Sequence, residues 1–220
     1  MDQFENKFGM LTKDDIKDKY FYNKIKRMID IVGAVIGIIL LIPVFILISC
    51  LIKIDDPKGS IFFTQVRVGK NEKKFKMYKF RSMCFDAEEK LQELLKLNEI
   101  DGAMFKIKDD PRVTKIGKFI RKTSIDELPQ LLNVLKGEMT LVGPRPPLPR
   151  EVIDYTEYDK QRLLVVPGCT GLWQISGRNN TGFKDMVELD IKYINNLSVY
   201  NDLQIIVKTI CVLISGHGAY

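Results

Sequence analysis

The sequence is poor in the side chains that most enzymes use for proton transfer and metal binding. Its 220 residues include one histidine, His217, near the end of the chain. That excludes a buried Ser-His-Asp or Cys-His arrangement and a multi-histidine metal site. The four cysteines (Cys50, Cys84, Cys169, Cys211) are far apart, and none forms a C-x-x-C pair. They indicate neither a zinc site nor a disulfide framework, and reduced thiols facing a cytosol fit them best. There is no P-loop, no G-x-G-x-x-G, no internal repeat and no low-complexity tract. What is present is charge and apolar mass: 34 Lys+Arg against 28 Asp+Glu, a net charge of +6, and 45% hydrophobic residues. The length predicts one domain, and the composition can bury a core. Any chemistry falls to carboxylates and cations.

From Ile31 to Ile52 the chain runs 22 residues without a charge. As a helix this run would reach roughly 33 Å, enough to cross a bilayer core of about 30 Å. Cations flank it on both sides: Lys24, Lys26 and Arg27 before it, and Lys53, Lys58, Arg67 and Lys70 after it. Positive flanks mark the cytoplasmic side of a membrane, and here both qualify. Pro43 lies just past the middle and can bend a helix sharply. A re-entrant hairpin would keep every cation on one face, while a Pro-kinked spanning helix is also tolerated in lipid. Spanning would carry the seven Lys/Arg up to Arg27 across the membrane, which favours the re-entrant form.

Residues 1–23 read as a polar tail. Residues 61–83 read as two short strands around a turn at Gly69-Lys70-Asn71. Residues 85–99 carry leucines among acids at helical spacing. Residues 113–122 read as a basic amphipathic helix, with Lys115, Lys118, Arg121 and Lys122 opposite Val113, Ile116, Phe119 and Ile120. Such a face is solvated, or lies on anionic lipid or phosphate. A helix over 126–136 should end at Gly137. The stretch 183–214 is helical in pattern, and its apolar segment 203–214 is short for a span.

Three constellations can carry chemistry. In RKTSIDELPQL (121–131), Ser124 and Glu127 have capping-box spacing, and Asp126 as N-cap would place Pro129 at a position that needs no N–H. One reading is that Asp126 and Glu127 simply cap a helix and complement its dipole. The other uses Asp126 as a nucleophile on phosphorus, with Arg121 and Lys122 beside it and a divalent metal to neutralise phosphoryl charge. An adjacent Asp-Glu pair suits Mg²⁺. In GPRPPLPR (143–150), prolines hold the backbone around Arg145, whose fork suits phosphate; a rigid surface turn is the plainer reading. In PGCTGLWQISGRNN (167–180), the glycines, Trp173 and Arg178 could line a base or sugar pocket, or form an ordinary loop. Lys79 and Arg81 of KFRSM add to the cation supply. Nucleic acid is a poor partner for these cations, given the membrane segment and the acidic helix.

KRMIDIVGAVIGIILLIP, FFTQVRVG, MYKFRSM, DPRVTKIGKFIRKTSIDELPQLLNVLKGEMTLVGPRP and VVPGCTGLWQISGR follow one another in this order. Together they resemble the bacterial sugar transferases known as monotopic phosphoglycosyl transferases, over roughly residues 22–220. The resemblance implies the small form of that family. It implies a tail at 1–23, a re-entrant membrane helix at 24–54 broken at Pro43, and a catalytic domain at 55–220. The implied fold is α/β and helix-rich, with interfacial amphipathic helices and a small β-sheet on the cytosolic face. It implies attachment to the cytoplasmic face of the bacterial inner membrane with both termini cytosolic.

In the implied reaction Asp126, paired with Glu127, attacks the β-phosphate of a nucleotide-diphosphate sugar, a UDP-sugar being the expected donor. The phosphosugar then passes to polyprenyl phosphate, initiating surface polysaccharide or glycoconjugate synthesis. Mg²⁺ is the implied cofactor, with Asp126 as its ligand. Arg121 and Arg145 match basic positions near the phosphate site, and Lys79, Arg81 and Arg178 are further substrate-binding candidates. Ile42 precedes Pro43 where many members have serine. A homo-oligomer is left open. The rival classes are a non-catalytic membrane adaptor and a different lipid-phosphate enzyme using the same carboxylates.

Overall fold

The computed structural model describes residues 10–11, 19–87, 89–90, 110–176 and 182–215. Most of the N-terminal tail, the acidic helix beyond residue 90, Arg178 in its loop and His217 lie outside the described residues.

The charge-free run lies inside α1 (Tyr20–Asp55), a helix of 36 residues with Pro43 in its interior. It runs as one element, roughly 54 Å at 1.5 Å per residue. It is the one helix among the described residues long and apolar enough to cross a membrane. Ile36, Ile39, Leu40, Ile42, Ile46 and Leu47 are exposed along it. The other face is packed. Ala34 lies against Met77, Val134 and Met139, and Ile48 and Ile52 lie against Phe80 and Ile120. Gly33 permits this approach, since a Cβ there would stand 2.8 Å from Leu141 Cδ1. Both ends of α1 are tied to the same folded body. Near the start, Asp30 accepts from the Thr140 hydroxyl at 2.7 Å and the Leu141 amide at 2.9 Å. At the other end, Asp55 accepts from the Ile116 amide at 2.9 Å.

The expected hairpin is present. β1 (Phe62–Val68) pairs antiparallel with β2 (Lys74–Phe80), from Phe62 opposite Phe80 to Val68 opposite Lys74. The turn between them puts Asn71 at φ 54°, a left-handed conformation that asparagine tolerates better than most residues. The basic helix is α2 (Lys115–Lys122), capped by Thr114 Oγ1, which accepts from the Gly117 amide at 2.9 Å. Ile120 faces α1, while Lys115, Lys118, Phe119 and Lys122 are exposed.

The next segment differs from the sequence reading. Asp126 does not cap an α-helix, and Ser124 and Glu127 make no capping box. Ser124 sits at φ 55° with no side-chain cap, and Ile125–Glu127 form a single 3₁₀ turn. The reason is Pro129, which has no N–H to return to Ile125. The chain closes with shorter bonds instead, Glu127 N to Ser124 O and Leu128 N to Ile125 O, and α3 (Gln130–Lys136) starts only after Pro129. Gly137 ends α3 at φ 78°, as expected. Arg27 of α1 donates to the last-turn carbonyls of Val134 (2.6 Å) and Leu135 (2.8 Å), which caps α3 from outside.

The expected small sheet is present, and among the described residues it consists of two separate two-stranded pairs. β3 (Thr140–Val142) and β4 (Gly168–Thr170) run parallel, and strands of three residues have too little pattern to announce themselves. Their crossover carries α4 (Pro149–Ile153) and α5 (Glu157–Lys160). α6 (Leu172–Ile175) follows β4. The helical pattern at 183–214 resolves into α7 (Phe183–Asn195) and α8 (Val199–Ser215). Ile205 of α8 is buried with Val142, Val165, Tyr193 and Ile194, while Leu203, Val207 and Ile210 are exposed.

Candidate active site

The site lies where the 3₁₀ turn, β2, the loop at 143–147 and the start of β4 meet. Asp126 is nearly buried, at 8% exposure. Lys79 of β2 bridges the two carboxylates, with Nζ 2.7 Å from Glu127 Oε1 and 3.9 Å from Asp126 Oδ2. Arg145 Nη1 is 3.8 Å from Glu127 Oε1. Arg121, from the last turn of α2, donates through Nε to the Ser82 hydroxyl at 2.8 Å. Its charge also acts on Asp126.

The framework behind these contacts is Asn133 of α3, which is fully buried. Its amide donates to the Lys76 carbonyl and to Glu138 Oε2, both at 2.7 Å, and its oxygen accepts from the Tyr78 amide at 3.0 Å. One side chain thereby joins α3, which follows the dyad turn, to β2, which carries Lys79.

Burial pushes the Asp126 carboxyl up from 3.8 to about 6. Lys79 opposes that rise, Glu127 adds to it, and Arg121 and Arg145 pull it down. Burial, with the like charge of Arg145, lowers the Arg67 guanidinium to about 10. Arg67 belongs to β1 and lines the same small cleft as Glu127, Gln130, Arg145, Pro146, Gly168 and Cys169. Four cations thus surround two carboxylates in a partly desolvated place. An excess of fixed positive charge beside a nearly buried carboxylate suits a polyanionic ligand whose charge shifts during reaction.

The structure brings together Asp126, Glu127, Lys79, Arg121 and Arg145. Gly168 and Cys169 of the Trp loop join them at the cleft wall. Arg81 is placed elsewhere. It is buried, donates through Nη2 to the Asp56 carbonyl at 2.6 Å and pairs with the Asp56 carboxylate at 3.3 Å, clamping the end of α1. Arg67 and Asn133 escaped the sequence reading. The signal for Arg67 was a charge between two valines in a strand, which fits a buried position only if the guanidinium is fully partnered.

The family model described as bacterial sugar transferase matches residues 21–216. The chain is 53% identical over 202 residues to the galactosyl transferase CpsE of Streptococcus agalactiae, covering 91% of this chain and 44% of that protein. It is 44% identical over 221 residues to a UDP-galactose-lipid carrier transferase of Erwinia amylovora, covering 99% and 46%. It is 44% identical over 200 residues to the undecaprenyl-phosphate galactose phosphotransferase of Salmonella typhimurium, covering 89% and 42%. The chain therefore spans less than half the length of these relatives. With nearly all of its described residues inside the matched region, the chain belongs to the bacterial sugar transferase family.

Proposed function

We propose that this chain is a phosphoglycosyl transferase that moves a sugar 1-phosphate from a nucleotide-diphosphate sugar, a UDP-sugar, to polyprenyl phosphate. The observation that carries the reading is the nearly buried Asp126 carboxylate ringed by Lys79, Arg121 and Arg145. The names of the relatives, which speak of a lipid carrier and of undecaprenyl phosphate, support the substrate classes.

An Asp126 oxygen attacks the β-phosphorus of the donor. The bond from that phosphorus to the bridging oxygen breaks, and the nucleoside monophosphate leaves with the electron pair. The phosphosugar remains on the carboxylate as an acyl phosphate. A phosphate oxygen of the polyprenyl carrier then attacks the same phosphorus and releases Asp126. Desolvation makes the carboxylate a stronger nucleophile, and the cations take up charge on the phosphoryl oxygens as it develops. Lys79, held by Glu127 at 2.7 Å, stays positioned when Asp126 is consumed. No step requires imidazole.

Mg²⁺ fits in one form. No group of three metal-ligating side chains comes together among the described residues, so these residues offer no cage of their own. Mg²⁺ is commonly held by one or two carboxylates with substrate phosphates, and Asp126 facing a diphosphate meets that need. When bound, the ion would neutralise diphosphate charge.

The same reading puts the site at the cytoplasmic face of the inner membrane, with both ends of α1 on that side, although α1 itself runs unbroken through Pro43. Two observations support it: cations on both flanks of the apolar run, and both ends of α1 tied to one body. The test is release of UMP from a panel of UDP-sugars with undecaprenyl phosphate. Release with at least one sugar is expected, abolished in Asp126→Asn. Undiminished release in that variant would remove Asp126 as nucleophile.

A further inference from the structure

The loop that delivers Arg145 cannot hold itself in place. Of its residues, Pro144, Pro146 and Pro147 have no N–H, so the loop offers carbonyls and almost no donors. Four consecutive carbonyls are nonetheless satisfied, each by a different donor. Pro144 accepts from the Gly168 amide at 2.8 Å and Pro147 from the Val68 amide at 3.0 Å. Arg145 accepts from Arg162 Nη2 at 3.3 Å, and Pro146 from Arg67 Nη1 at 3.0 Å. The backbones also touch closely: a Cβ on Gly168 would stand 2.1 Å from the Gly143 nitrogen.

The two guanidiniums are themselves aimed. Arg67 donates to Gln65 Oε1 through Nε at 3.1 Å and Nη2 at 2.7 Å. Arg162 donates to Tyr155 Oη at 2.8 Å and pairs with Asp190 of α7. Their exposures are 7% and 3%. Burying an arginine costs several kcal/mol in desolvation, and packing alone would be served better by an apolar side chain. A fork that ends on a loop carbonyl has a use that an apolar residue could not supply. Arg67 also stands beside Arg145 in the cleft, two like charges that share the single Glu127 carboxylate there.

We propose that Arg67 and Arg162 are positioning residues that fix the backbone of the 143–147 loop, so that the Arg145 guanidinium meets the donor diphosphate at the dyad without reorganising. This rests on the function proposed above. Small misplacements of a charge-stabilising group are expensive in rate, which is what makes such a clamp worth its desolvation.

The test uses the full chain in nanodiscs and the variants Arg67→Lys and Arg162→Lys, each alone and combined with Arg145→Ala. Two readouts are taken. The first is hydrogen exchange at the Gly168 and Val68 amides, which report the loop carbonyls directly. Each lysine variant should speed that exchange about tenfold, as expected for loss of a net hydrogen bond of roughly 1.4 kcal/mol. The second is kcat/KM for the UDP-sugar. It should fall on the order of tenfold in each lysine variant, with KM for undecaprenyl phosphate unmoved. In the Arg145→Ala background either lysine change should cost less than about twofold, because the group being positioned is gone. If Arg67→Lys does not fold, Gln65→Leu releases the same guanidinium and must show the same pattern.

Unchanged exchange in both lysine variants would overturn the clamp. So would losses that multiply fully with Arg145→Ala, which would make the two arginines direct ligands. A wild-type chain that releases no UMP from any donor overturns the proposed function, while the exchange measurement still decides the clamp.

Discussion

Two charge clusters meet at Arg145, one at its side chain and one at its backbone. At the backbone, Arg162 and Asp190 are 3% and 1% exposed, and the guanidinium divides its donors among Asp190, Tyr155 and the Arg145 carbonyl. At the side chain, Asp126 is also nearly buried, but Lys79 stands 3.9 Å away and the Arg145 side chain is 36% exposed. In the first cluster each charge is met at contact distance, with only Arg162 Nε buried and unpartnered. The second is open towards a cleft and carries more positive than negative charge. Buried charge alone therefore does not identify a reactive group; the mismatch between a carboxylate and its surplus of cations does.

Neutralising each carboxylate in turn separates the two clusters most strongly. Asp126→Asn should lower UMP release by at least about 10⁴-fold, since it removes the attacking oxygen. Its stability should rise. A carboxyl raised from 3.8 to about 6 favours the fold fully only below pH 3.8, and that contribution is lost as pH rises through about 6. At pH 7.5 the variant should gain on the order of 2 kcal/mol in chemical denaturation, with the gain fading below pH 4. Burial pushes the Asp190 carboxyl up to about 6 as well, but Asp190 is in contact with Arg162, so Asp190→Asn leaves that guanidinium buried without its counter-charge and should lose about 3–5 kcal/mol. Equal stability of Asp190→Asn and wild type would erase the distinction between the clusters.

A smaller effect is expected at the framework. Asn133→Leu leaves the Tyr78 amide and the Lys76 carbonyl without the bonds described above and should cost about 1–3 kcal/mol in thermal or denaturant unfolding. The smallest effect sharpens the electrostatics. Activity should decline as pH falls through about 6, because Asp126 must be ionised to attack. In Lys79→Met that decline should begin at higher pH, since Lys79 is the largest influence lowering the Asp126 pKa. A decline that stays in place would mean that Lys79 is too far away to matter.

How much of this was legible in the sequence varies by element. The hairpin was, because alternation in FKMYKF and Asn71 at the turn are local signals. The basic helix was, because its apolar residues recur at helical spacing. The dyad turn was misread, since a capping box needs Ser124 in an extended conformation and the chain holds it left-handed. That outcome depends on Pro129 acting over several residues. The roles of Arg67 and Asn133 were missed for another reason. Alongside near neighbours such as Gln65, they bond the Pro146 carbonyl 79 residues away and the Tyr78 amide 55 residues away, and no local pattern encodes such pairings. Arg81 shows the converse: its motif suggested a ligand-facing cation, while tertiary contact assigns it to Asp56.

The proposed role of Asp126 as carrier of the phosphosugar between two half-reactions is best tested by mass analysis of the intact protein and its peptides after incubation with UDP-sugar alone. The expected result is UMP release near one equivalent without acceptor, with the phosphosugar mass on the peptide containing Asp126, discharged by undecaprenyl phosphate. UMP release that requires acceptor, with no added mass on that peptide at any time, would contradict the account.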